Sequence, residues 1–264
     1  MIIDSHLHLN KLGSEPDFTQ ALARLATILD KNQVDKTVII ADDVKNGTCV
    51  DTWHALSAVD NKTRYYIIGS PNVQNIDEGD WDFFEKNLAN KKLIGLKLFP
   101  GHESYYPTDP ICTKVYELAT KYSVPVMFHT GANSGDMDCA KYNDPKYIVE
   151  VAKKYPNVKF IISHYFWPKI EYCYDLTHKI PNIYYDTSAM ADEEVVEMSG
   201  GEEKIKNILE RTIADKPYSV MFGSDYDMCS QDKHIKLIQE LNISDNAKND
   251  IFCNNFLECF GQHI

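Results

Sequence analysis

Eight short apolar runs, each followed by a stretch with helical spacing, leave this chain few architectures to choose from. The runs fall at residues 2–9, 36–41, 65–69, 93–99, 124–129, 158–164, 183–186 and 219–225. Between and after them, helices are expected at about residues 17–31, 52–60, 80–90, 110–122, 145–154, 168–178, 202–214, 231–241 and 245–260. The first of these carries Ala21, Leu22, Leu25, Ile28 and Leu29 as one apolar stripe, with Asp17 as its N-cap. Continuous runs such as Val38-Ile39-Ile40-Ala41 suit strands buried on both faces, as in parallel sheets. Strict alternation of strand and helix requires parallel strands with crossover helices. Eight such units in 264 residues fit an α/β (β/α)8 TIM barrel with an extra C-terminal helix. The competing doubly wound sheet would place a Gly-rich phosphate loop after the first strand, and Leu9-Asn10-Lys11-Leu12-Gly13 is not one. No low-complexity tract or shift in composition marks a linker, so residues 1–264 are expected to form a single domain.

In a barrel of this kind chemistry sits where the strands end. Here those ends carry His6 and His8, Lys97, His129, His164, Asp186 and Asp225. Ionisable groups aimed into an apolar barrel are costly unless paired or bound to a metal. His6 and His8, two apart on a strand, point to one face, with Asp4 deeper on the same face. In a closed barrel the eighth strand neighbours the first and brings Asp225 beside them, and His129 on the fifth strand reaches the same centre. His6, His8, His129 and Asp225 are therefore expected to form a shell of three nitrogens and one oxygen around a divalent metal. Zinc is the first choice, with manganese or iron as alternatives, at one or two ions per chain. His164 is assigned either to a second metal or to catalysis. Lys97 bridges two metals if carbamylated; otherwise it binds substrate as a cation. Asp186 is placed to orient His164, or it is a strand-end turn residue.

Charge narrows the partners. A net charge of −12, with no dense Lys/Arg run, disfavours nucleic acid. Seven scattered cysteines without a C-x-x-C pair, and no secretion signal, point to free thiols in a cytoplasmic protein. No apolar run approaches the length of a membrane span. The expected partner is a small molecule. Homo-oligomer formation is left open.

The pieces Ile3-Asp4-Ser5-His6-Leu7-His8, Gly95-Leu96-Lys97-Leu98-Phe99-Pro100, Pro125 to Gly131, Ile162-Ser163-His164 and Phe222-Gly223-Ser224-Asp225-Tyr226, with the tail Asn254 to Phe260, resemble the amidohydrolase superfamily. The branch is the one called amidohydrolase family 2. The resemblance runs from end to end. It implies metal binding by His6, His8, His129 and Asp225, a proton shuttle at Asp225, and a substrate or second-metal role for His164. Where the family often has Pro after Asp-Tyr, this chain has Asp227.

The expected activity is metal-dependent hydrolysis of an amide, ester or lactone, with Asp225 and His164 as catalytic residues. The alternative is a non-oxidative decarboxylase of the same family. A TatD-type nuclease is more distant, because those enzymes place Glu near the fourth strand, where this chain has Lys97. Lys97, His102, Tyr165 and Trp167 are expected to bind substrate. None of the three arginines, Arg24, Arg64 and Arg211, falls on an expected strand-end loop. Any anionic group would thus depend on Lys11, Lys97, Lys141 or backbone N–H groups.

Overall fold

The computed structural model describes residues 1–264 apart from 14, 16, 46, 60–62, 134 and 262. All eight runs form strands: β1 (Ile3–Leu7), β2 (Lys36–Ile40), β3 (Tyr65–Gly69), β4 (Gly95–Leu98), β5 (Val126–Phe128), β6 (Phe160–Ile162), β7 (Ile183–Asp186) and β8 (Val220–Met221). They lie in one sheet in sequence order, each pairing the next in parallel. The fold is a (β/α)8 barrel.

Six of the strands are shorter than the apolar runs that encode them, because the final residues of those runs leave the ladder to enter the rim, whereas β3 and β7 keep their full length. Strand β8 keeps two residues. The chain beyond it nevertheless closes the ring on β1. Ser5 N donates to Phe222 O at 2.8 Å, Asp225 N donates to His6 O at 2.9 Å, and Leu7 bridges Tyr226.

The helices are α1 (Phe18–Lys31), α2 (Thr52–Ala58), α3 (Glu78–Ala89), α4 (Thr113–Tyr122), α5 (Pro145–Lys154), α6 (Ile170–Thr177), α7 (Glu193–Met198), α8 (Glu202–Asp215), α9 (Gln231–Gln239), α10 (Asp245–Asn249) and α11 (Asn255–Phe260). Asp17 caps α1 by accepting from Thr19 N and Gln20 N. The helix expected at 110–122 opens as a tight turn at Pro110–Cys112, where Pro110 has no N–H to donate. The expected end of the second helix, Asp60, lies outside the described residues. Helix α7 is short and was not expected. Asp192 starts it by accepting from Glu194 N. A wide turn at Asp250–Asn254 joins α10 to α11 and makes them one closing segment, the extra C-terminal helix. Among the described residues no helix is long and apolar enough to cross a membrane.

Two apolar layers result. Val38, Ile40, Ile68, Ile94, Met127, Ile161 and Met221 fill the barrel, and Phe256, Cys259 and Phe260 of α11 pack against this layer. The alternate residues, among them Ile39, Leu96, Leu98, Phe128 and Phe160, pack under the helices. Phe160 is fully buried, with its ring centroid 6.0 Å from Phe128 and 5.9 Å from Tyr116. Phe160→Ala is expected to cost about 3–5 kcal/mol of stability, read as a lower urea midpoint. An unchanged midpoint would mean that the site collapses without loss.

Strand β1 breaks the simple alternation. Ile3 belongs to the inner layer and Leu7 to the outer one. The change comes with a shift in the β1–β2 register between Asp4 and Leu7. Asp4 therefore does not share the face of His6 and His8. Its carboxylate accepts from Ser224 Oγ at 2.6 Å and from Gln231 Nε2 of α9 at 2.7 Å. It ties the seam between β1 and β8 to the helix outside it.

Candidate metal centre

At the C-terminal mouth of the barrel, β1 delivers His6 and His8 with their Nε2 atoms 3.4 Å apart. The turn after β8 brings Asp225 Oδ1 to 3.6 Å from His6 Nε2 and 3.5 Å from His8 Nε2. His164 Nδ1 lies 3.8 Å from Asp225 Oδ2. His6, His164 and Asp225 each offer a ligand atom, and all three atoms lie within 4.8 Å of one another. His129, at the end of β5, lines the same cavity with its ring centroid 5.0 Å from that of His164.

Hydrogen bonds fix which imidazole nitrogens are free. His6 Nδ1 lies 2.8 Å from Asp186 Oδ2, both groups fully buried. A carboxylate only accepts, so Nδ1 carries the proton and Nε2 presents a lone pair. Asp186 thus anchors His6 directly and reaches the His164 ring only through Ser188. Its other oxygen accepts from Ser188 Oγ. Ser188 Oγ, 2.9 Å from His164 Nδ1, is left to accept from that ring. His164 Nε2 then faces away with its lone pair. His8 Nδ1 has the Cys49 thiol 3.9 Å away. Burial pushes His8 down to about 3 and His164 to about 4, and holds His129 well below the usual imidazole range. All three rings are neutral at pH 7, the form that binds metal.

Two buried atoms of the cluster, His129 Nε2 and Asp225 Oδ1, have no hydrogen-bond partner among the described residues. A buried polar atom without a partner costs free energy comparable to a lost hydrogen bond. Neutral imidazoles and a carboxylate with spare lone pairs make a donor set that fits a divalent cation.

The backbone at these positions is held in the left-handed region without glycine. His164 has φ 60° and ψ 10°, Tyr165 and Phe166 follow with φ 53° and 57°, and Asp225 has φ 59°. Such conformations cost about 1–3 kcal/mol each and persist where surrounding structure imposes them. Gly131, at φ 91°, is required for a different reason. A Cβ there would lie 2.6 Å from Trp167 O. That close approach sets Trp167 against the loop after β5.

The expected substrate residues separate. His102 and Trp167 line the cavity. Tyr165 does not, and the expectation for it is corrected. Its side chain is fully buried, its hydroxyl bonds Thr212, and its ring stacks on Tyr185 at 4.7 Å. The left-handed turn at 164–166 sends that ring outward under the helices. Tyr105 is also spent on structure, accepting from Phe99 N at 2.9 Å. Lys97 is fully buried beneath the cavity, donating to Ser163 Oγ at 3.0 Å. Burial pushes its ammonium down to about 8.

The cavity has a volume of about 400 Å³, the size of a small-molecule site. Its wall includes residues that the strand-end reading passed over: Asp42 just after β2, Cys49, and Asp192 and Glu194 at the start of α7. Asp42 obeys the rule that found Asp225, a carboxylate directly after an apolar run. Asp192 carries the N-cap signal of Asp followed by two Glu and two Val.

Asp186→Asn keeps the shape of the anchor and removes its charge. It is expected to weaken metal binding about 10–100-fold, measured by competition with a chromophoric chelator. Unchanged affinity would show that His6 needs no carboxylate to orient it.

The family model described as Amidohydrolase matches residues 3–261. No curated protein matches the sequence. Among solved structures, an uncharacterised TIM-barrel protein from Bordetella bronchiseptica is 17% identical, covers 99% of each chain and has a TM-score of 0.79. The 5-carboxyvanillate decarboxylase LigW from Sphingomonas paucimobilis is 14% identical over 98% of each chain, with a TM-score of 0.69. A probable 2-pyrone-4,6-dicarboxylic acid hydrolase from Acinetobacter baumannii is 15% identical over 98% of this chain and 99% of its own, with a TM-score of 0.67. At these identities the likeness is one of fold.

Proposed function

The chain belongs to the amidohydrolase family, whose members are metal-dependent enzymes, and we propose that it hydrolyses an amide, ester or lactone bond in a small molecule. The observation that carries this reading is Asp225. Its Oδ1 is buried and unpartnered, within 3.6 Å of two imidazole nitrogens, on the wall of the cavity. A carboxylate so placed can hold a cation and still move a proton.

His6, His8, His129 and Asp225 would hold one divalent ion, zinc first and manganese or iron next. When bound, that ion supplies Lewis acidity, lowering the pKa of water beside it and polarising a carbonyl. Asp225 takes the proton of the attacking water and passes it to the leaving group. His164, its Nδ1 proton held by Ser188, presents a bare Nε2 that accepts a hydrogen bond from the attacking water and helps to place it. We assign His164 to catalysis and keep Lys97 uncarbamylated. Its Nζ donates to Ser163 Oγ, and its positive charge lies beneath the reacting centre. His102 and Trp167 bound the substrate at the rim.

A non-oxidative decarboxylase is the second reading, supported by the fold shared with 5-carboxyvanillate decarboxylase. There Asp225 would protonate carbon instead of a leaving group.

The test is a screen of amides, esters, lactones and aromatic carboxylates with zinc- and manganese-loaded protein. Bond cleavage and carbon dioxide release are followed side by side, with elemental analysis of the same sample. One ion per chain with amide, ester or lactone cleavage is the expected result. Carbon dioxide release without such cleavage would replace the first reading with the second. Two ions per chain would restore a bridging role for Lys97.

A further inference from the structure

We propose that the outer wall of this cavity selects substrates whose far end carries a protonated amine and turns away those that end in a carboxylate. The inference rests on the metal-centre reading above and adds the substrate's charge to it.

The first observation is an absence. No lysine or arginine lines the cavity among the described residues. The three arginines are engaged elsewhere. Arg24 is spread over Glu15, Asp227, Tyr226 and the Asn10 carbonyl, Arg64 binds Asp30 and the Val34 carbonyl, and Arg211 lies 4.3 Å over the ring of Tyr174. The lysines that sequence reasoning offered for an anion are also displaced. Lys11 sits over Phe18 in a separate hollow and Lys141 lies over Tyr142. Lys97 lies below the floor.

The second observation is a charge of one sign. Asp42, Asp192 and Glu194 line the wall, and none is ion-paired to Lys or Arg among the described residues. Asp42 follows β2 and Asp192 follows β7. In the ring those two strands stand on either side of the β8–β1 pair that carries Asp225, His6 and His8. The acids therefore flank the reacting groups. Across the barrel the wall is neutral, from Phe99, His102, Ala132, Asn133 and Trp167. The unpartnered His129 Nε2 and Asp225 Oδ1 mark the inner end, where the reacting group is held. A substrate with a carbonyl at that end thus projects its tail past uncompensated carboxylates. A carboxylate tail meets only like charge, and an ammonium tail finds its partners ready. The same wall opposes a substrate whose second carboxylate must sit near the mouth.

Three hydroxamates of equal six-carbon length, differing only in a terminal ammonium, methyl or carboxylate, keep the metal-binding head constant and vary the tail. Their affinities for the zinc-loaded protein are read by titration calorimetry. The ammonium form is expected to bind about tenfold or more tighter than the carboxylate form, with the methyl form between them. In Asp42→Asn/Asp192→Asn/Glu194→Gln, the spread is expected to shrink to about threefold or less. Asn still accepts the backbone N–H bonds from Val44 and Glu194 that the two aspartates now hold, so the loops stay capped. Equal binding of the three tails, tighter binding of the carboxylate form, or an order unchanged by the triple substitution would overturn the inference alone. Binding of none of them would overturn the metal-centre reading and this inference with it.

Discussion

Asp225→Asn is expected to lower kcat about 10²–10⁴-fold on whatever substrate the wild-type protein cleaves. The substitution preserves volume and leaves the backbone bond from residue 225 N to His6 O intact, so the barrel seam closes as before. What it removes is the basic oxygen that now stands without a partner 3.5 Å from His8 Nε2. An amide cannot take a proton from water at neutral pH. The loss should therefore fall on kcat rather than on substrate affinity. Metal content and Tm measured on the same preparation separate lost chemistry from lost ion or lost fold. A variant retaining its metal and near wild-type kcat would remove Asp225 from the proton path.

His6→Ala with His8→Ala should strip the ion altogether. Outer partners of metal ligands are worth about 10–100-fold in affinity, and two direct ligands are worth more, on the order of 10³-fold at least. Elemental analysis after dialysis should fall from about one ion per chain to background, with activity falling alongside it. His6 is fully buried, so its removal also opens a cavity. His8→Ala alone, at a partly exposed position, is the control that separates ligand loss from misfolding. Full metal retention in the double variant would contradict the assignment.

Much of this was legible because parallel barrels leave strong marks. Continuous apolar runs such as Val38 to Ala41 can be little else, and a polar residue directly after such a run, as at His129 or Asp225, stands out. Asp17 announced a helix start that the structure keeps. What could not be read depends on local departures from periodicity. The register shift in β1 separates Asp4 from the face of His6, and no alternation rule foresees it. The left-handed turn at His164 sends Tyr165 into the core, although its neighbour Trp167 reaches the cavity. Asp186 bonding His6 instead of the His164 ring is a fact of side-chain reach across the barrel. The acidic wall carries a fainter mark: Asp42 satisfies the same positional rule as Asp225, whereas Asp192 and Glu194 come from a short helix with no apolar run to announce it.

The closing seam has a consequence for how the enzyme comes into being. The strands that lead to His6 and Asp225 are joined by Ser5 N donating to Phe222 O, a backbone bond that spans 217 positions of chain. A polypeptide in which they have not met thus carries loose imidazoles and no catalyst. Catalytic competence arrives when the first and last strands of the ring dock. Any cation captured between them acts as a clasp, favouring the finished ring over every partial one.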